Sequence, residues 1–498
     1  MATAPEERAT ALERLRSETF DLMVVGAGII GARVALEAAL TGARVALVEA
    51  RDFGGATSSA SSKLVHGGLR YLQLHDFALV REAHRERRML QERLAPHLVR
   101  PLTFLLPVFR GAPHSAPTVA AGMLTYAALS GFRHSSIGMV GASGARQLVP
   151  SLRTERLVAA AVFQDAQTHD SRLVLATVAA AKSAGAVVAN YLPITGLETA
   201  GGRLAAGRAG DLLIRSRAVV NAAGPWVDQV RRLEDPAAEP MARLSKGVHV
   251  VLDLPAEPWV AALTTPLPGG RVTFAAPWEG MLLLGTTDTE YSGDPGLVRA
   301  EPEEVRTVLG EAAVALPGQV LARDRVRYSF AGLRVLPRGG GSTARAHREE
   351  LIETGPAGMV SVAGGKLTTH RQIAVRVLRR LEAFRGTRPT SDPLPGAGPL
   401  PPRPASVPAE TWSHLTHLYG TEVLEVLGCG AGTPIHPSGP DVWAQVEYAV
   451  DREWALTVED VLRRRTTIEV RGLATPDVRQ AVAATLGERG VFKTVDES

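Results

Sequence analysis

The sequence predicts an α/β fold: a parallel sheet flanked by helices, interrupted by an antiparallel sheet and followed by a helical C-terminal region. Three observations carry this. Residues 22–48 run strand, glycine turn, helix, strand. Residues 246–290 read as short alternating apolar runs, the pattern of antiparallel strands. Eight prolines between residues 386 and 408 then set off a stretch of helical composition.

The first unit organises the chain. Residues 22–25 are apolar and short enough for a buried strand. The turn from Gly26 to Gly31 follows, with Gly28 between, and opens an apolar helical run that Gly42 ends. Residues 45–48 form a second strand with Glu49 at its carboxyl end, about 20 residues after the first glycine. This is the context of a Rossmann dinucleotide site. Gly26 permits the tight turn, Gly28 lets backbone approach a pyrophosphate, and Gly31 lets helix and strand pack closely. The helix N-terminus offers free N–H groups to phosphate, and Glu49 accepts ribose hydroxyls.

Bulk composition sets the frame. The chain is 45% hydrophobic and 21% charged, ordinary for a soluble globular protein. A net charge of +4 with pI near 9.4 implies weak attraction to anionic surfaces, such as acidic lipid or a phosphorylated substrate. The single cysteine, Cys429, excludes an intramolecular disulfide and a cysteine metal cluster, and no metal set is read. The charged N-terminus lacks the apolar core of a signal peptide, and no run of about 18 apolar residues exists, so any membrane contact is expected to be peripheral.

In chain order, residues 6–18 read as a lead-in helix. Residues 54–63 pack threonine and serine between glycines and Lys63, a loop able to donate to a ligand passing over it. His66, Gly67, Arg70 and Tyr71 follow in HGGLRY. Residues 77–95 form a charged amphipathic helix with its arginine face read as solvated. Residues 96–107 read as extended, and 116–130 as a small apolar helix. A helix over 173–184 takes Asp170 or Ser171 as its cap. The strand 218–222 ends in Ala222-Ala223-Gly224, which admits a close ligand. A second glycine turn, Gly364-Gly365-Lys366-Leu367-Thr368-Thr369, opens another helix and is an anion or dipole site by the same logic. The assigned boundaries are a discontinuous dinucleotide domain (18–72, 150–245, 331–385), a substrate domain (73–149, 246–330), a proline-rich linker (386–408) and a C-terminal helical domain (409–498).

These motifs carry a resemblance. ATSSASSKLVHGGLRYL, DSRLVLA, NAAGPW, KGVHVV, LGTTDTEYSGDP, AGLRVL, AGGKLTTHR and EYAVDREWALTVEDVLRRRT occur in this order. Over about residues 20–470 the chain resembles the FAD-dependent, quinone-linked glycerol-3-phosphate dehydrogenases. The resemblance implies a Rossmann-type FAD-binding domain of the glutathione-reductase/amino-acid-oxidase kind. It implies that Gly26, Gly28, Gly31, Glu49, Thr57, Ser58, Ser59, Ser62, Leu64 and Gly67 line FAD, with Ile194 near adenine, together with Ala223, Gly224 and Trp226. Lys366, Leu367 and Thr368 would lie near the flavin, and Arg70, Tyr71, Arg334, Lys366 and Thr369 match substrate positions.

The expected reaction oxidises sn-glycerol 3-phosphate to dihydroxyacetone phosphate. Hydride passes from C2 to flavin N5 and electrons pass to a quinone. Phosphate needs arginine partners, which Arg70 and Arg334 supply. The hydroxyl proton needs a base, for which His66 and His249 both stand, with Asp288 as a positioning carboxylate or a strand-end cap. The expected setting is cytoplasmic, peripheral on the inner face of the plasma membrane, with a homodimer allowed. The competing readings are an oxidase of the same fold, using oxygen on this or on amino and hydroxy acids, and a flavin-carrying nucleic-acid binder using Arg463-Arg464-Arg465. Nucleic acid is not expected, since three arginines without interleaved aromatics are weak evidence. Two residues depart from the family pattern: His370 stands where tyrosine is usual, and Val335 where proline is usual.

Overall fold

The computed structural model describes residues 4–72, 76–112, 114–132, 137–255, 257–267, 271–338 and 350–491. A six-stranded sheet lies at the centre of the dinucleotide unit, in the order Leu351–Thr354, Val360–Ala363, Val219–Asn221, Leu22–Val25, Val45–Val48, Val187–Ala189. All neighbours are parallel except the first pair. The inner strands are buried throughout and apolar except for Asn221 and Ser361, because both faces are covered. Helices Ile29–Ala39, Asp170–Ser183 and His370–Leu378 share one core with one face of this sheet. The other face packs on a small sheet in which Thr19–Phe20 joins the meander Gly196–Ala200, Arg203–Ala209 and Leu212–Ser216.

The second unit is a ten-stranded mixed sheet. Ala242–Asp253 pairs with Val326–Pro337 along nearly its whole length and with Met281–Gly285 on its other side. Val99–Phe109 and Leu157–Thr168 extend the sheet as a long antiparallel pair. Alternation sorts its faces. Val248, Val250 and Leu252 enter the core beneath helix Pro302–Ala312. His249 and Val251 take the opposite face, the side toward the dinucleotide unit.

Three readings need correction. Asp170 does not cap its helix; His169 occupies that position, and the Asp170 carboxylate instead takes Lys63 Nζ at 2.6 Å and Ser61 Oγ at 2.7 Å. The charged helix Phe77–Met89 is solvated only in part: Arg81 and Arg85 are exposed, but His84, Glu86 and Arg87 are buried. The proline-rich stretch is not a free spacer in its first half. Thr390 N donates to Glu37 at 3.0 Å, and Leu394, itself buried, donates to Leu94 O at 2.8 Å.

The C-terminal region is helical over Ala409–Tyr419, Val423–Cys429, Trp443–Arg452 and Pro476–Glu488. Val458–Asp460 runs into a widened turn, Val461–Arg465, that buries Arg464 and Arg465 in ion pairs with Asp52 and Asp460. Two of the three arginines that motivated the nucleic-acid reading are therefore buried and paired, and offer no surface to a nucleic-acid backbone; Arg463 is half-buried beside Glu459. Among the described residues, no helix is long and apolar enough to cross a membrane.

Candidate active site

The first glycine turn is set by close approach. Gly26 has φ +99°, and a Cβ on Gly31 would lie 1.9 Å from the Gly26 carbonyl oxygen. No side chain fits there, so helix Ile29–Ala39 starts directly against the strand end.

 Glu49 closes the turn from below: Ala27 N donates to its carboxylate at 2.7 Å and Arg51 N at 3.0 Å. Burial pushes this carboxyl up, against the two backbone bonds that lower it.

The hydroxyl-rich loop is tied to the same turn. Ser58 Oγ accepts from Ile29 N at 3.0 Å, and Thr57 Oγ1 donates to Leu333 O at 2.7 Å. Lys63, at φ +59°, turns inward and bonds both Asp170 and the Ser59 carbonyl, at 2.6 Å each. This buried ion pair fixes the loop over a cavity of about 580 Å³ lying between the two sheets.

The cavity wall includes Gly28, Thr57, Ser58, Ser62, Leu64, Gly224, Lys366, Leu367 and Thr368, with His66, His249 and Arg334. One space therefore joins both glycine turns to the inserted sheet. Gly26, Gly31, Glu49, Ser59, Gly67, Ile194, Ala223, Trp226, Asp288 and Thr369 do not form its wall. Ser59 Oγ donates to Ala56 O, and Ala223 N to Asn221 Oδ1. Ile194 packs with the meander, and the Trp226 ring lies 5.0 Å from the Arg51 guanidinium. Thr369 is the buried N-cap residue of His370–Leu378. Arg70 and Tyr71 belong to the short helix Leu69–Leu72, and their side chains lie outside the described residues.

His66 is held through its backbone, which exchanges two 3.2 Å bonds with Thr368 Oγ1. His249 is buried, stacks on Phe330 at 4.8 Å and meets Ser62 Oγ at 3.0 Å through Nε2. Burial, then the Arg334 and Lys63 cations, hold its ring well below the usual histidine range, so it is neutral near pH 7. Arg334 is anchored rather than swinging: both terminal nitrogens donate to Thr287 O at 3.1 Å, and Nη2 also to Thr286 Oγ1 at 3.0 Å. Asp288 stands 3.7 Å from Arg334 and accepts from Ser245 Oγ. His370 is buried, with Nδ1 2.6 Å from Leu367 O, and burial lowers it to about 4.

Two groups escaped the sequence reading. Arg271 lines the cavity and bonds Thr286 O at 3.2 Å, so two arginines meet one threonine. Its only sequence signal was a lone cation ahead of an apolar run. Asp165 also reaches the wall, and it accepts from Gly67 N at 2.8 Å, from Tyr126 Oη and from Arg87. A Cβ on Gly67 would fall 2.4 Å from that tyrosine oxygen. The conformation of the HGG segment is thus set by partners far away in sequence.

A dinucleotide turn opening onto neutral histidine and fixed arginine defines the class: a dinucleotide-dependent oxidoreductase. Comparison with known proteins narrows this. A family model described as FAD dependent oxidoreductase matches residues 21–371, and one described as the C-terminal domain of alpha-glycerophosphate oxidase matches residues 360–491. A glycerol-3-phosphate dehydrogenase of Synechocystis sp. is 34% identical over 496 residues, 91% of this chain and 90% of the relative. Another, from Mycobacterium leprae, is 34% identical over 519 residues, 98% of this chain and 88% of the relative. The solved structure of the glycerol-3-phosphate dehydrogenase from Bacillus halodurans, complexed with FAD, matches with a TM-score of 0.80 at 28% identity, over 99% of this chain and 95% of that one. The chain belongs to the glycerol-3-phosphate dehydrogenase family of FAD-dependent oxidoreductases, and its cofactor is FAD. The residues present fit that group: a side-chain-free cradle at Gly28, an acid at the end of the second strand, and one cavity continuous with the Lys366 turn.

Proposed function

We propose that the enzyme oxidises sn-glycerol 3-phosphate to dihydroxyacetone phosphate. The observation that carries this reading is the single cavity joining both glycine turns to His66, His249 and Arg334. The names of the relatives support the same substrate. Bound FAD supplies a two-electron hydride acceptor for the C2 hydrogen. The backbone at Gly28, the Ser58 loop, Glu49 and the Lys366–Thr368 turn hold the cofactor. Arg334, held in plane by Thr286 and Thr287, binds the phosphate dianion through its fork, with Arg70 and Lys366 adding charge.

His66 is the proton acceptor and His249 orients the substrate. The physical ground is the difference between their settings. A proton on His249 would sit buried beside Arg334 and Lys63, which makes that ring a poor acceptor. His66→Gln is expected to lower kcat by about 10²–10⁴-fold with FAD retained, and His249→Gln by much less. The reverse order would overturn the assignment.

The acceptor in this reading is a quinone. The oxidase alternative is favoured by one observation, the match of residues 360–491 to a domain described from alpha-glycerophosphate oxidase. Oxygen consumption without added acceptor separates the two.

The site of action in this reading is the inner face of the plasma membrane. Helix Ala116–Leu129 supports it: the helix carries no charged residue, Leu124 is 56% exposed, and Phe132 just beyond is 62% exposed. The neighbouring helix exposes Arg81 and Arg85. An apolar face beside cations suits an anionic lipid surface. The protein should float with anionic vesicles, and Leu124→Glu with Phe132→Glu should abolish this. Flotation unchanged in the double variant would sink the surface assignment.

A further inference from the structure

The C-terminal arginines that bind no ligand grip the loop that carries Glu49. Residues 49–54 leave strand Val45–Val48 and close back on the glycine turn at both ends. Ala27 N donates to the Glu49 carboxylate at 2.7 Å, and Gly54 N donates to Ala27 O at 3.0 Å. Between these anchors, Asp52 is 1% exposed and turns its carboxylate to the C-terminal region. It accepts from Arg464 Nε and from both terminal nitrogens of Arg465, the second at 2.8 Å.

A neighbouring loop is held in the same way. Leu192 N donates to Glu49 O at 2.8 Å, and Tyr191 N to Arg51 O at 2.9 Å. The Tyr191 hydroxyl donates to Asp460 at 2.7 Å, the carboxylate that also takes Arg464 Nη2 at 2.6 Å. Asn190 Nδ2 donates to Trp454 O at 2.8 Å, and the Phe53 and Trp454 rings meet edge to face at 5.4 Å. These side-chain ties of the Glu49 loop and its neighbour end on residues 454–465, while Arg8 of the N-terminal helix holds Asn190 from the other side, at 2.9 Å. Arg464 and Arg465 are buried and line no part of the cavity.

We propose that Arg464 and Arg465 are positioning residues for FAD, which set the ribose-binding geometry of Glu49 through Asp52. The C-terminal region is then part of the cofactor site's support, not a separate appendage. Removing one partner leaves a buried charge unpaired, so the loop must rearrange to solvate it. Glu49 moves with that loop because only backbone bonds fix its carboxylate. The proposal rests on the assignment of FAD to this site.

The test uses the full-length chain stripped of flavin and titrated with FAD, and separately with ADP, which carries the adenine, ribose and pyrophosphate without the flavin. Arg465→Gln and Asp52→Asn should each weaken both ligands by roughly 10- to 100-fold, the range seen when an outer partner of a bound group is removed. The double variant should be no weaker than Asp52→Asn alone, since that substitution already disrupts the Arg465 contact along with that of Arg464. Val482→Ala, in the C-terminal core and not a partner of the Asp52 carboxylate, serves as the control. It should lower the melting temperature of the apoprotein and leave both affinities within about twofold, because it leaves the Asp52 ion pairs in place. Arg465→Lys, which keeps the charge and loses the fork, should fall between wild type and Arg465→Gln and reads the same quantity if the glutamine variant does not fold. Unchanged affinities in Arg465→Lys and Asp52→Asn would overturn the proposal, as would equal weakening by Val482→Ala. Wild-type protein that takes up no FAD would instead defeat the cofactor assignment.

Discussion

Replacing Arg334 by glutamine isolates the phosphate contact on which substrate choice depends. The guanidinium is fixed before any ligand arrives, with both terminal nitrogens on Thr287 O at 3.1 Å and Nη2 on Thr286 Oγ1 at 3.0 Å. A planar guanidinium held this way meets a dianion with little left to order. Two charge-assisted bonds at about 1.5–3 kcal/mol each amount to about 3–6 kcal/mol. That is about 10²–10⁴-fold in kcat/KM for glycerol 3-phosphate. Any residual reduction by glycerol, which lacks the phosphate, should not change. Arg334→Lys should fall between, since it keeps the charge and loses the fork. The assay is steady-state reduction of an artificial acceptor with both substrates, alongside flavin content. A loss within about threefold, less than one ordinary hydrogen bond, would refute the reasoning.

Other consequences follow from the same geometry. Gly31→Ala forces a Cβ against the Gly26 carbonyl oxygen at 1.9 Å, and neither backbone can yield, so the purified variant should carry no flavin; a variant with full flavin content would contradict the packing. His84, His169 and His370 are buried neutral, each lowered to about 4, whereas the unfolded chain takes up these protons near 6.5. The unfolded state therefore binds more protons in this window: stability is fully present above pH 6.5 and is lost as pH falls toward 4, by about 3 kcal/mol per histidine. Melting curves between pH 8 and 4.5 should show this decline, and His370→Gln should flatten it; a flat profile in the parent enzyme would argue against buried neutral rings. Gly67→Ala drives a Cβ to 2.4 Å from Tyr126 Oη and should cost about 1–3 kcal/mol by overpacking, measurable by denaturant titration.

What was legible in the sequence was local. The spacing of Gly26, Gly28, Gly31 and Glu49 states its own geometry, because turn, helix start and strand end are neighbours in the chain. His249 was legible as one position in an alternating strand, and the period of two put it on the cavity face. Long-range pairs were not. Arg465 and Asp52 are 413 residues apart, and a run of three arginines reads as an exposed basic patch until its acid is found. Arg87 lay in a run of charges that looked solvated, yet it is buried on Asp165. Asp170 matched a helix cap by composition; its carboxylate does accept from Ser171 N at 2.8 Å, but it lies inside the helix and is shared with the buried Lys63 ammonium, a partner 107 residues away. Arg271 carried no motif at all and reached the site only because Ala262–Pro266 and Met281–Gly285 flank its strand.

The most direct test of the account is anaerobic mixing of the purified flavoprotein with glycerol 3-phosphate while the oxidised-flavin absorbance is followed. The account predicts rapid bleaching with glycerol 3-phosphate and none with glycerol at the same concentration. Flavin that stays oxidised with glycerol 3-phosphate would contradict the substrate assignment while leaving the cofactor site intact.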